Sequence, residues 1–425
     1  MRLAPDEQAM LDGKEGHARQ KAMELLVKYG EALGAENFVD TNNVLLNCGI
    51  LQDVDFIRKI VPSLDPDEVA SKLYLDSDEV VFVDRVKAFS TNNVFRDQSH
   101  PDIHQGGKRQ CELAHKMEQY SQRIGVVNVA TCAPYQVGIL PTKGEHCAWN
   151  ESSAIAFCNS VLGARTNIEG NQSGFASALT GKTPYWGMHL DENRVGNVII
   201  DIGLPMDSIQ DMYLLGYYVG AQIGLDIPVY TNISKPPTTD MLMSLCASGI
   251  ASGSTVLFHM VGVTPEAPTL EAATGGQRNL PTISYGNRER RETYQKLNHS
   301  KSDSVDVVIL GCPHYGLSSI KDVSILLEGK TIQQNTLLYI STSRMIKTLA
   351  HRNGYADVIE KAGGVLLEDT CGLFFDLDPT TVTACDSAKM AHYLPGTTGV
   401  QNIWCGTQEE CIDAALNGKW RGELR

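Results

Sequence analysis

Across residues 15–33 the apolar positions Ala22, Met23, Leu25, Leu26, Tyr29 and Leu33 recur three and four apart, which predicts a helix with Gly34 as its stop. Residues 62–78 are acidic and polar, and Glu79-Val-Val-Phe-Val-Asp84 then reads as a strand. A polar surface loop is predicted over 93–107, a helix over about 107–122, and a strand from Val126 to Cys132. Gly138, Pro141 and Gly144 mark a loop over 134–150. A helix of small residues over about 152–162 and a Gly/Asn-rich turn through Asn171 follow, a composition that lets backbones approach closely. Strands are predicted at 197–202 and 256–263, with a helix at 211–223 between them. Residues 264–304 turn polar, with many Pro, Gly and Arg, and read as a connection (265–304) between lobes of about 1–264 and 305–425. Beyond it, strands at 305–310, 336–340 and 364–367 alternate with helices at 318–327 and 344–362. That order implies an α/β fold, multi-lobed and three-layered, with largely parallel sheets.

Three of the apolar runs end alike. They read Val126-Val-Asn-Val-Ala-Thr-Cys132, Val307-Val-Ile-Leu-Gly-Cys312 and Gly364-Val-Leu-Leu-Glu-Asp-Thr-Cys371. Ligands gather at the carboxyl ends of strands in α/β proteins. Each cysteine is therefore either a small buried hydrophobe or one corner of a metal site with an open fourth position. No close CxxC pair is present, so such a site would be assembled from distant loops.

Composition narrows the classes. A chain of 425 residues with 42% hydrophobic content buries a substantial core. Its net charge of −14 argues against a nucleic-acid binder. No run of about 18 apolar residues predicts a membrane span, and the amino terminus lacks an apolar signal core, so a cytoplasmic location is expected. In that reducing compartment the eleven cysteines are better read as metal-binding or catalytic thiols than as a disulfide framework.

Other polar groups cluster around these runs. Glu145, His146, Glu151, Ser152 and Ser153 bracket a predicted helix start, as a helix cap or as catalytic groups. Arg165, Thr166 and Asn167 follow that helix, either binding a carboxylate or answering the helix dipole. His314, beside Cys312, is an acid–base candidate or a structural ring. Ser387-Ala-Lys389-Met-Ala-His392 looks like a helix with one polar side.

Taken together, these stretches resemble the aconitase X (DUF521) catalytic subunit, a divergent branch of the aconitase superfamily. The matching motifs are Thr131-Cys-Ala-Pro-Tyr135, Gly144-Glu-His146, Glu151-Ser-Ser-Ala154, Asn159 through Asn167, Glu169-Gly170 and Phe258-His-Met-Val-Gly-Val-Thr-Pro-Glu266. Gly311-Cys-Pro-His314, Asp369-Thr-Cys371, Ser387-Ala-Lys389 with His392-Tyr-Leu-Pro395, and Leu11-Asp-Gly13 complete the set. The resemblance implies an aconitase-like fold with an iron–sulfur cluster in the interlobe cleft, held by Cys132, Cys312 and Cys371. The cluster is [4Fe–4S] or [2Fe–2S], with a single iron as the remaining form. The implied activity is dehydration of a small hydroxy acid, cis-3-hydroxy-L-proline in preference to mevalonate 5-phosphate. A non-catalytic metal-binding protein is the alternative of a different class. Candidate catalytic residues are His146, His314, Ser153 and Lys389; candidate substrate contacts are Glu145, Arg165, Thr166 and Asn167. The segments Thr41-Asn-Asn-Val44 and Ser90-Thr-Asn-Asn-Val94 depart from the family pattern. A swivelling domain with a serine in a Gly/Ser-rich loop is expected by the resemblance, yet no such loop follows Cys371, which points to a separate small subunit.

Overall fold

The computed structural model describes residues 1–49 and 53–424. The strands are β1 (Phe38–Asp40), β2 (Val44–Leu46), β3 (Ser90–Asn92), β4 (Ala148–Trp149), β5 (Lys182–Pro184), β6 (Val198–Ile202), β7 (Pro228–Thr231), β8 (His259–Met260), β9 (Thr282–Tyr285), β10 (Val307–Leu310), β11 (Leu337–Thr342), β12 (Val365–Glu368), β13 (Val382–Cys385) and β14 (Asn402–Cys405). They form three sheet-centred units. The first holds a parallel sheet β3-β2-β4 and a small antiparallel pair β1-β5; the second is the parallel sheet β8-β7-β6-β9; the third is the parallel sheet β12-β11-β10-β13-β14.

The third unit shows most clearly why the sequence folds as it does. Along β10, Val308 and Leu310 enter one apolar core while Val307 and Ile309 enter another. Both faces are covered, so the strand reads as a continuous apolar run rather than an alternating one. The strand order reverses between β10 and β13, which makes that crevice the topological switch point. In the second unit, helices Ile209–Ile223 and Thr239–Gly253 cross so closely that a Cβ on Gly253 would lie 1.6 Å from the Gly220 carbonyl oxygen. The small-residue helix Ser152–Ser160 shares a core with this pair, with Ala154, Ile155 and Phe157 beside Leu242 and Leu245.

Several expectations need correction. Residues 79–84 form no strand; Val81 and Val83 are buried and their neighbours are not, but the Val81 amide donates to the Ser71 hydroxyl at 2.8 Å rather than to a neighbouring strand among the described residues. The run into Cys132 has a single bridge, Thr91 to Val127, because Ala130 turns to a φ of +48°. The strand expected at 256–263 shrinks to β8. Residues 265–304 are not a connection: they supply β9, paired to β6, and the helix Asn287–Leu297, whose polar sequence reflects one exposed face. The helix expected over 344–362 breaks into Arg344–Arg352 and Tyr355–Lys361 at Gly354, where φ is +77°. The acidic stretch 62–78 contains a helix, Pro66–Tyr74, capped by Asp65.

Candidate active site

Of the eleven cysteines, Cys132, Cys312 and Cys371 are the three that are only partly buried. Each is set up by left-handed backbone within the two preceding residues: Ala130 at +48°, Gly311 at +93° and Asp369 at +59°. At Gly311 a Cβ would sit 2.2 Å from the Ser341 carbonyl oxygen, so glycine alone allows the turn that delivers Cys312. Asp369 is pinned on three sides. Its amide donates to the Thr342 carbonyl at 2.9 Å, its carbonyl accepts from the Phe95 amide at 2.7 Å, and its carboxylate accepts from the Arg344 amide at 2.8 Å. A strained non-glycine residue persists where its surroundings over-determine it.

His314 ties two of these loops together. Its amide donates to the Cys132 sulfur at 3.3 Å. Its ring lies 2.6 Å from the Thr370 carbonyl through Nε2 and 3.1 Å from the Thr131 hydroxyl through Nδ1. Burial pushes its pKa down to about 4, so the ring is neutral. The carbonyl requires Nε2–H as donor, which leaves Nδ1 to accept from Thr131. Both nitrogens are committed, so His314 is a strut between the Cys132 and Cys371 loops rather than the acid–base group expected from the sequence.

Facing the thiols is a buried ion pair. Lys389 follows β13 at the start of the helix Ala388–Thr398, beside the switch point. Its ammonium donates to the Glu151 carboxylate at 2.7 Å and to the Ser152 hydroxyl at 2.9 Å, with the Ser153 hydroxyl at 3.5 Å. Glu151 also accepts from Asn93 at 2.8 Å and from Ser153 at 3.2 Å. Burial disfavours both charges, but mutual attraction prevails: Glu151 is held below the usual carboxylate range and Lys389 above the usual amine range. Burial pushes all three thiols up, and Lys389 is the cation that opposes this at each of them. Glu151 sits at the cap position of the helix Ser152–Ser160 but makes no capping hydrogen bond; its carboxylate turns instead to Lys389 and Asn93. Ser153 and Lys389 thus lie at the thiol site.

The remaining predicted residues do not join them. His146 faces His189 at 3.0 Å, and Arg165 binds the His189 carbonyl at 2.7 Å and the Asp191 carboxylate. The Thr166 hydroxyl accepts from the Trp149 amide at 2.9 Å and is buried. Asn167 holds the turn at Trp186 and Met188, at 3.1 and 2.8 Å. Glu145 accepts from Thr142 at 2.9 Å and from Asn43 at 3.3 Å. His146, Arg165 and Asn167 thus hold the loop 186–191, while Thr166 and Glu145 bond elsewhere within the first unit. Sequence reasoning missed Asn93, which leaves the end of β3 as the cysteines leave theirs; β3 itself, Ser-Thr-Asn, carries no apolar pattern that would mark a strand end.

A cavity of about 270 Å³ opens beside Cys312 between the second and third units, lined in part by Asp240, Tyr315, Asp386 and Gln408. Among the described residues, the trio of ligand-type side chains whose atoms all lie within 4.8 Å of one another is the exposed His351, Asp357 and Glu360, not the cysteines.

Comparison with known proteins follows this division. Family models described as the first, second and third domains of aconitase X match residues 1–192, 196–295 and 305–417. The phosphomevalonate dehydratase large subunit of Thermococcus kodakarensis is 34% identical over 371 residues, 87% of this chain and 89% of that protein. The cis-3-hydroxy-L-proline dehydratase of Hypocrea jecorina is 30% identical over 427 residues, 98% of this chain and 69% of that protein. A crystal structure of Thermococcus kodakaraensis aconitase X in its holo form superposes with a TM-score of 0.80 at 32% identity, covering 98% of this chain and 100% of that one. With three matched domains and this shared fold, the chain belongs to the aconitase X family of hydro-lyases.

Proposed function

We propose that the chain is the large subunit of an iron–sulfur dehydratase acting on a small hydroxy acid. The observation that carries this reading is the convergence of three partly buried thiols on the buried Lys389–Glu151 pair. The donor set fits a cluster. Thiolates favour iron–sulfur chemistry, and a fixed ammonium beside all three offsets the negative charge they gain on ligation. A single four-coordinate ion needs sulfurs about 3.8 Å apart, the tetrahedral edge for metal–sulfur bonds of about 2.3 Å. The wider spread of these thiols supports a polynuclear group over a lone iron. Cys132, Cys312 and Cys371 would hold it, and it would supply Lewis-acid polarisation of the departing hydroxyl.

The chain's own residues do the rest. Lys389 presents a permanently protonated amine near the reacting centre, placed to hold the substrate's negative charge, and Glu151 with Ser152 and Ser153 fixes its direction. His314 keeps the two cysteine loops in register. Several relatives bear the name large subunit, which supports a small partner subunit that completes the site and carries the proton acceptor.

The preferred substrate is cis-3-hydroxy-L-proline, giving a pyrroline-2-carboxylate. Mevalonate 5-phosphate is the second reading, favoured by the 34% identity to the Thermococcus protein against 30% for the Hypocrea one. The test is anaerobic co-purification with the small subunit, iron and sulfide analysis, and assay of both acids. Turnover of one with an intact cluster upholds the reading; turnover of neither with an intact cluster refutes it.

A further inference from the structure

The cavity beside Cys312 is walled by hydrogen-bond acceptors. Its four acidic residues are Asp240 and Asp386, half-buried, and Asp322 and Glu409 at the exposed rim. No lysine or arginine lines it, and among the described residues none of these carboxylates is in an ion pair. Its one histidine, His314, is neutral with both ring nitrogens committed. Gln210 adds a further acceptor. The residue is 5% exposed, and its Nε2 donates to the Tyr213 hydroxyl at 3.2 Å. Its Oε1 has no partner among the described residues and is not closed off, so it faces the cavity that Gln210 lines.

One chain of hydrogen bonds joins Gln210 to Asp386. The Tyr213 hydroxyl donates to the Gly406 carbonyl at 3.0 Å, and the Gly406 amide donates to the carbonyl of Cys385, the residue before Asp386, at 3.0 Å. Because the Tyr213 proton goes to Gly406, its oxygen must accept from the amide nitrogen of Gln210, which leaves Oε1 as the free atom. Asp386 accepts from the Tyr315 hydroxyl, which Gln408 braces at 3.0 Å, and faces the Gly311 backbone just before Cys312.

Neither a metal ion nor a phosphate suits these walls. No three of the carboxylates bring oxygens within 4.8 Å of one another, as ligands to one ion would. A phosphate would meet like charge, and the helix starts that could attract it are already answered. Ser208 and Thr407 cap Ile209–Ile223 and Gln408–Asn417. The Asp240 carboxylate lies against the start of Leu317–Leu327, accepting from Ser318 at 2.9 Å and from Ser319 at 3.4 Å. A cation with N–H donors fits. Lys389, three residues after Asp386 and acting on Cys312, supplies the opposite charge. An anion and a cation at one thiol are what a zwitterion requires.

We infer that the Asp386 carboxylate and the Gln210 Oε1 bind the cationic amine of the substrate, which makes the substrate a hydroxylated amino or imino acid whose carboxylate goes to Lys389. This deepens the dehydratase reading and rests on it, and it sets phosphorylated acids aside.

The test uses the cluster-loaded complex, assayed on cis-3-hydroxy-L-proline and on the analogue with a ring oxygen in place of the ring nitrogen. In wild type the KM for the amine should be about 10- to 150-fold lower, the worth of one charge-assisted hydrogen bond. Asp386→Asn should erase that preference by raising KM for the amine alone, and Gln210→Leu should cut it about 2- to 12-fold, with iron content unchanged. No preference in wild type, or one that survives in both folded variants, overturns the amine site. So does an equal loss on both rings, which makes Asp386 a structural residue. Turnover of mevalonate 5-phosphate in place of the imino acid refutes the amine site and leaves the dehydratase reading intact. Turnover of neither acid ends the dehydratase reading, and calorimetry with L-proline and tetrahydrofuran-2-carboxylate then judges the amine site alone. Binding of L-proline that Asp386→Asn abolishes sustains it; no binding, or equal binding of the two compounds, refutes it.

Discussion

The Glu151–Lys389 pair offers a quantitative test of the site's architecture. At 2.7 Å and an effective dielectric of about 20, the two charges attract by about 6 kcal/mol, a gain offset by their desolvation. Breaking one side leaves the other charge buried, so Glu151→Gln and Lys389→Met should each cost about 3–5 kcal/mol in the cluster-free protein. The double variant removes both charges and should cost about 2–3 kcal/mol less than the two singles added. The pH dependence follows from the shifts. Glu151 titrates below its ordinary value, so its contribution is complete above about pH 4.3 and fades in stronger acid. Lys389 titrates above its ordinary value, so its contribution is complete below about pH 10.4 and fades only in stronger base. Chemical denaturation of the four proteins at pH 7 and pH 3, followed by circular dichroism and tryptophan fluorescence together, measures the coupling. A coupling below about 1 kcal/mol at pH 7, or one that does not weaken in acid, would refute this account.

Further predictions concern the thiol loops and the adjoining cavity. Cys312→Ser should fail to retain the iron that wild type holds after anaerobic reconstitution, whereas Cys246→Ser, at a buried thiol in the second core, should retain it; the iron-to-protein ratio decides. Gly311→Ala puts a methyl group 2.2 Å from the Ser341 carbonyl at a φ of +93° and should destabilise by about 3 kcal/mol or more, seen as a lower melting temperature and reduced iron loading. Burial raises Asp386 to about 6, so ionising it in the folded state is costly. Its folded pKa lies above the unfolded value of about 3.9, so wild-type stability should fall between about pH 4 and 6 by up to about 3 kcal/mol. Asp386→Asn, which keeps an acceptor for the Tyr315 hydroxyl, should lack that step in a pH series of denaturation midpoints.

Sequence legibility followed the origin of each signal. The third unit was readable because β10, β11 and β12 are buried on both faces, which leaves uninterrupted apolar runs between helices of clear period. Cys312 and Cys371 were found for the same reason. Cys132 was found by a rule that does not describe it, since its loop has only one bridge where a strand was expected. β9 and the helix after it were invisible because an edge strand and an exposed helix carry little apolar pattern. The His146–Arg165–Asn167 group looked like a substrate site because structural and catalytic hydrogen bonding use the same residue types; only partners such as His189 and Trp186, far along the chain, distinguish them.

The thiol trio has a consequence for biogenesis. Cys132 comes from the first unit while Cys312 and Cys371 come from the third, and His314 bonds across that seam. A nascent chain therefore carries Cys132 through the synthesis of a little over half of its length before Cys371 emerges. Any group that needs all three sulfurs is a rivet set after the two units have met. Loading becomes a report on complete assembly, and its loss would free the seam first, so limited proteolysis of the reduced, iron-free chain should open between these units before either one is digested.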